Sequence, residues 1–95
     1  MRPYEMMLVM KPDLEEETVD ALLERLTGIV TGEGGAVDKV DRWGKRRTAY
    51  ELKGYTEGFY VVIDFQAEPA TASELERIVK LSDEVIRHLL VRRDN

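Results

Sequence analysis

The spacing between apolar positions switches along the chain between two residues and three to four, and each switch marks a change of element. Residues 3–10 read Pro-Tyr-Glu-Met-Met-Leu-Val-Met, apolar on both alternating faces beyond Glu5, which predicts a central strand covered on at least one side. Lys11-Pro12-Asp13 breaks that pattern. Asp13 followed three positions later by Glu16 has the form of a capping box, predicting a helix from about Leu14. Val19, Leu22, Leu23, Leu26, Ile29 and Val30 recur at helical spacing while Glu15, Glu16, Glu17, Asp20 and Glu24 crowd the solvent side, so this helix is amphipathic and acidic. Gly32, Gly34 and Gly35 end it.

Residues 36–53 read as a long, polar, interrupted strand whose many charges and central Gly44 place it at a sheet edge. A turn over residues 54–58 precedes a second central strand over 59–65, with Phe59, Val61, Ile63 and Phe65 on one face and Tyr60 and Val62 on the other. Pro69 and Thr71, with Glu74 three residues beyond the threonine, open a second helix whose inward stripe is Leu75, Ile78, Val79 and, at its end, Ser82. Residues 85–93 finish as a strand. Strand, helix, strand, strand, helix, strand is two split strand-helix-strand halves, and it predicts an α+β ferredoxin-like plait: a four-stranded antiparallel sheet with both helices on one face. The other face and the two edges are left for partners.

A chain of 95 residues is one domain, 1–95, with no room for a second. Hydrophobic residues make up 43% and charged residues 35%, enough to bury a core and too polar for a membrane or disordered class. Lys and Arg number 14 against 19 Asp and Glu, a net charge of −5, so any nucleic-acid contact must be local. The absence of Cys removes disulfides and thiolate chemistry and suits a reducing cytoplasm. No apolar run approaches a membrane span, and Glu5 interrupts the N-terminus before a signal-peptide core forms.

Candidate chemistry is sparse. His88 is the sole imidazole, and without a second His or a Cys it builds neither a metal site nor a proton relay; it reads as a surface or partner-facing strand residue. Gly32-Glu33-Gly34-Gly35 follows a helix C-terminus, whose dipole repels phosphate, and so reads as a helix stop rather than a phosphate loop. Glu15, Glu16 and Glu17 point in three directions from a helix start and do not converge on a cation, while Met6, Met7 and Met10 read as core filler. Lys53-Gly54-Tyr55 and Gly58-Phe59-Tyr60-Val61 are similar to an RNA-recognition signature, but Thr56 and Glu57 break its spacing, so the segment reads as hairpin packing. These residues predict no enzyme, no cofactor, no metal and no small-molecule substrate.

The sharpest local departure is basic. Between Lys39 and Lys53, six basic residues (Lys39, Arg42, Lys45, Arg46, Arg47 and Lys53) stand against Asp41 and Glu51 alone. Charges on an edge strand deter edge-to-edge pairing, but Trp43 among them has the composition of a contact hot spot. A second cluster joins Arg87, Arg92 and Arg93 on the last strand to Arg2 and Tyr4 on its neighbour in this topology. Two separate basic edges predict two partners.

Arg2-Pro3-Tyr4-Glu5, Trp43-Gly44-Lys45-Arg46-Arg47-Thr48-Ala49-Tyr50 and Gly58-Phe59-Tyr60 make the chain resemble the ribosomal protein six family of the bacterial small subunit, over essentially all 95 residues. The most specific piece is Gly-x-Arg-Arg-x-Ala-Tyr, Gly44 to Tyr50, which a generic ferredoxin-like domain has no reason to carry. The resemblance implies the plait fold, no catalysis, and a cytoplasmic place on the ribosome. It also implies entry into the central domain of the small-subunit (16S) ribosomal RNA as a heterodimer with ribosomal protein eighteen. By the same resemblance, Arg42, Trp43, Arg46, Arg47 and Tyr50 receive the partner protein, and Arg2, Tyr4, Lys80, Arg87 and Arg92 face RNA. Arg42 and Lys45 depart from relatives that are acidic or apolar there. The competing class is a small regulatory or ligand-binding ferredoxin-like domain that dimerises through its sheet.

Overall fold

Alternation along the first strand decides where the core lies. The computed structural model describes residues 1–93; Asp94 and Asn95, part of the expected domain 1–95, lie outside the described residues. The described chain forms β1 (Arg2–Met10), α1 (Glu16–Gly32), β2 (Ala36–Leu52), β3 (Tyr55–Ala67), α2 (Pro69–Lys80) and β4 (Val85–Arg92). Among the described residues the strands make one sheet in the order β2-β3-β1-β4, each adjacent pair antiparallel. Tyr4, Met6, Leu8 and Met10 of β1 and Val61, Ile63, Phe65 and Ala67 of β3 meet Val19, Leu22, Leu23, Leu26 and Val30 of α1 and Leu75, Ile78 and Val79 of α2 in one buried cluster. Each large side chain removed from water there contributes about 1.5–3 kcal/mol. The expected plait, with both helices on one sheet face, is the observed fold.

The helix starts differ from expectation. The first helix begins at Glu16 rather than Leu14, its N-cap position is Glu15, and no side chain caps it. Asp13 is therefore not a cap. Leu14 and Val19 instead occupy the N′ and N4 positions of a hydrophobic staple and line one shared cavity, so apolar packing sets the entry. Glu16 and Glu17 lie in the first turn, where the helix dipole favours them. The second helix opens with Pro69 in its first turn, and Thr71 is buried inside that turn rather than capping it. Ser82 lies beyond α2, and its hydroxyl donates to the Ile78 carbonyl at 2.8 Å, closing the C-terminus.

The third strand is longer than its apolar run. It starts at Tyr55, and the turn shrinks to Lys53 and Gly54, both with positive φ, 49° and 86°, and with Leu52 paired to Tyr55. Two left-handed central residues make a type I′ hairpin turn, a geometry that Lys-Gly signals less clearly than Asn-Gly. The fourth strand ends at Arg92, one residue short of expectation.

β2 departs from regular pairing three times. Val37 and Lys39 face consecutive residues of β3, as do Arg42 and Gly44, so Asp38 and Trp43 are extra residues at bulges. Gly44 takes φ +82°, which a residue with a Cβ reaches only with strain. From Arg47 to Leu52, five steps along β2 face only two along β3. This surplus bends the end of β2 over the face that the helices leave open. Val9 and Val62 are consequently buried on that face too, outside the main core.

Candidate functional site

Register assigns each basic residue to a face, because directly paired residues point the same way. Arg42 pairs with Val61 and so points toward the helices, where its Nη2 donates to Asp20 Oδ1 of α1 at 2.6 Å. Trp43, the bulge residue, lies on the open face: its ring is 42% exposed and stacks on Tyr60 at 6.3 Å and 9°. Its indole Nε1 donates to Asp41 Oδ2 at 3.2 Å. Arg46 pairs with Gly58, whose Cβ, if it had one, would collide with Val9; Arg46 thus shares the open face. Arg47 pairs with Glu57 and takes the opposite face. The five residues expected at the protein interface are therefore divided between faces, with Trp43, Arg46 and Tyr50 together and Arg42 and Arg47 on the helix side.

The expected RNA set divides as well. Arg87 pairs with Val9 on the open face, whereas Arg92 pairs with Tyr4 and Arg2 with Ala67, both core residues under the helices. Lys80 is the last residue of α2 and is exposed. Tyr4 differs from the others: only 7% exposed, with its ring stacked on Phe65 at 5.5 Å and 23°, it packs into the core. An aromatic side chain at the inward phase of a central strand is removed from water by the helices that cover it.

The two basic edges are not separate. Arg87 Nη1 donates to the Tyr50 hydroxyl at 3.0 Å, although β2 and β4 are the two outer strands of the sheet. Leu52 likewise lines a cavity of about 180 Å³ with Met7, Val9, Tyr60 and Leu89 of the inner strands and β4. A residue expected at the protein contact and one expected at the RNA contact thus touch, because the surplus residues near the end of β2 carry it across the open face.

Sequence reasoning missed other members of this face. Leu89 is 50% exposed and Val91 41%, and with Arg87 they alternate along β4. Period-two spacing at 87, 89 and 91 was the available signal. Arg93 bonds Asp64 at 3.2 Å and lies 3.9 Å from Glu5, so its charge is met locally. His88 is not a surface residue of that kind: it pairs with Leu8 under the helices, and its Nε2 lies 3.1 Å from Glu76 Oε2 of α2. On the outer side of α2, Arg77 grips Glu74 with bonds of 2.7 and 2.8 Å, holding that carboxyl below its ordinary pKa and occupying the guanidinium.

Among the described residues, no three His, Cys, Asp or Glu side chains are grouped so as to hold a metal ion, and no helix is long and apolar enough to cross a membrane. What the molecule presents is a mixed surface of Trp, Tyr, Arg and aliphatic side chains on the open face and basic residues at both ends of β4.

The family model for ribosomal protein S6 matches residues 3–92. The small ribosomal subunit protein bS6 of Moorella thermoacetica is 51% identical over 92 residues, covering 97% of this chain and 94% of that protein. The bS6 protein of Mycolicibacterium paratuberculosis is 51% identical over 94 residues, covering 99% and 98%. The crystal structure of 30S ribosomal protein S6 from Thermotoga maritima superposes with a TM-score of 0.89 at 39% identity, over 97% of this chain and 87% of that one. The C-terminal domain of the MgtC protein from Mycobacterium tuberculosis reaches a TM-score of 0.63 at 14% identity, a likeness of fold alone. A family match from one end of the sheet to the other, and relatives sharing about half of their residues with it throughout, make this chain a member of the ribosomal protein S6 family.

Proposed function

We propose that the protein is a structural, non-catalytic component of the bacterial small ribosomal subunit in the cytoplasm. It binds the central domain of 16S ribosomal RNA as a heterodimer with ribosomal protein eighteen. The observation that carries this reading is the end-to-end relationship to ribosomal S6 proteins. Charge supports the need for a second protein. At a net charge of −5 the chain repels phosphate at long range, and a few local cations offset that only in part, so a basic partner reverses the balance.

The protein contact centres on Trp43, Arg46 and Tyr50, with Arg42 and Arg47 flanking from the helix side. A half-exposed Trp beside Arg and Tyr is the composition from which hot spots are built. RNA is met by Arg2, Lys80, Arg87 and Arg92, while Tyr4 supports the first strand from within.

The test is titration of 16S ribosomal RNA with this protein alone, with ribosomal protein eighteen alone and with both, beside recovery of the protein on purified small subunits. Cooperative binding by the pair and weak binding by the single chain are expected. Tight stoichiometric binding by the chain alone at physiological salt, or a stable homodimer that ignores ribosomal protein eighteen, would overturn the reading.

A further inference from the structure

One signature in the sequence, Lys53-Gly54-Tyr55, finds no use in the surfaces described above. Its Phe59 counterpart pairs with Lys45 and packs against the main core, so the segment builds no stacking platform of two rings. The hairpin turn nevertheless brings Lys53 and Tyr55 to a surface cavity of about 380 Å³, whose other walls are Lys11, Lys80, Ser82, Asp83, Val85 and Ile86. Resting on the ribosomal RNA reading, we infer that this cavity seats one RNA phosphodiester, held by the ammonium groups of Lys11, Lys53 and Lys80 with the Tyr55 ring as its wall.

The three lysines come from three separate segments: the end of β1, the β2–β3 turn and the last residue of α2. The floor holding them together is firm. Lys11 N–H donates to the Glu84 carbonyl at 2.9 Å, tying the loop after β1 to the loop before β4, and Val85 and Ile86 are buried beneath. Elsewhere on the chain Lys39 has Asp41 as partner, Arg42 has Asp20, Arg77 has Glu74 and Arg93 has Asp64. Among the described residues Arg25, Lys45, Arg46, Arg47 and Arg87 also lack a carboxylate partner, so what sets the three lysines apart is that they line one cavity. Among the described residues, none of these three ammonium groups has a carboxylate within ion-pair distance, in a chain where carboxylates outnumber Lys and Arg by 19 to 14. Three like charges left unpaired around one hollow attract an external anion.

Backbone geometry adds a second observation. Lys53 holds φ +49°, a conformation that Gly or Asn adopts at lower cost. Asp83 is the one carboxylate in the wall, and it opposes an anion. The seat adjoins Lys80 and the start of β4, so it extends the RNA-facing set by Lys11 and Lys53.

Two measurements test the seat. The first is the salt dependence of 16S ribosomal RNA binding by the heterodimer, for the wild type and for Lys11→Gln, Lys53→Gln and Asp83→Asn, with Lys39→Gln as a control outside the cavity. Each seat lysine removed lowers affinity about two- to fivefold and the magnitude of the salt slope by about 0.7–0.9, whereas Lys39→Gln leaves the slope alone. Asp83→Asn raises affinity, which a merely structural role does not predict. The second measurement titrates the free protein with inorganic phosphate and follows backbone amide resonances. Shifts confined to the segments around Lys11, Lys53, Tyr55 and Lys80 are expected.

Lys11→Gln and Lys53→Gln slopes equal to that of Lys39→Gln, in a heterodimer still weakened by Arg87→Ala, overturn the seat and leave the ribosomal reading standing. Failure of the wild-type heterodimer to bind 16S ribosomal RNA overturns that reading instead. The phosphate titration then decides the seat alone: localised shifts support its anion chemistry and their absence removes it.

Discussion

Replacing Tyr4 distinguishes a core residue from an RNA contact. The ring is 7% exposed and stacked on Phe65, so truncation to alanine empties a volume bounded by the sheet and the helices. Large aromatic-to-alanine changes in cores cost about 3–5 kcal/mol, and the lost ring pair falls within that range. A value near 4 kcal/mol is about a third or more of the stability expected of a domain of this size, roughly 5–14 kcal/mol. At about 4–8 °C per kcal/mol, the thermal midpoint should fall by about 16–32 °C. Tyr4→Phe keeps the ring and loses only the hydroxyl, so it should stay within about 1.5 kcal/mol of wild type. Thermal unfolding read by circular dichroism measures the first quantity, and RNA affinity of the heterodimer at a temperature where both variants are folded measures the second. The reasoning requires a steep stability loss in Tyr4→Ala with unchanged RNA affinity and salt slope in Tyr4→Phe. A small stability loss together with weakened RNA binding in Tyr4→Phe would refute it and return the tyrosine to the RNA surface.

Trp43→Ala should weaken heterodimer formation by about 2 kcal/mol or more, a hot-spot loss, while lowering stability less, because part of the ring is already in water; calorimetric affinity beside a denaturant midpoint separates the two, and a steep midpoint loss with unchanged affinity sinks the assignment. Arg92→Ala should lower the magnitude of the RNA salt slope by about 0.7–0.9 without touching heterodimer formation. Arg87→Ala should do the same to the slope and also shift heterodimer affinity through the freed Tyr50 hydroxyl; unchanged slopes in both variants would reassign this edge to packing. Gly44→Ala should cost about 1 kcal/mol or more in unfolding experiments, since φ +82° strains a residue with a Cβ; an unaffected midpoint would show that the bulge relaxes.

Much of this architecture was legible from periodicity. All six elements stand in the expected order, and the apolar residues that spacing picked out on one face of the third strand and on both helices pack in or against the core. That succeeds because burying one face of a strand or helix imposes its own period on the sequence. Ends were harder. Asp13 and Glu16 carry a capping-box pattern, yet Leu14 and Val19 packing decided where the helix begins. The turn at Lys53 and Gly54 was hidden because only the backbone shows that both residues are left-handed.

The basic edge of β2 was legible in composition and illegible in direction. Each bulge resets the parity of the strand: Arg42 and Gly44, two positions apart, pair with Val61 and Tyr60 on opposite faces, and ordinary alternation from that new phase then puts Arg46 and Arg47 on different sides. The sequence by itself determined the fold class, the helix-facing core, the acidic total charge with its basic islands, and the family to which those residues point. Only the tertiary structure decided that Tyr4 is core, that Arg42 is held by Asp20, that Tyr50 reaches Arg87 and that three lysines share one cavity. Periodicity is a local property written in neighbouring residues, whereas these contacts depend on strand register and on how three surplus residues bend the end of β2, which nothing within a single segment encodes.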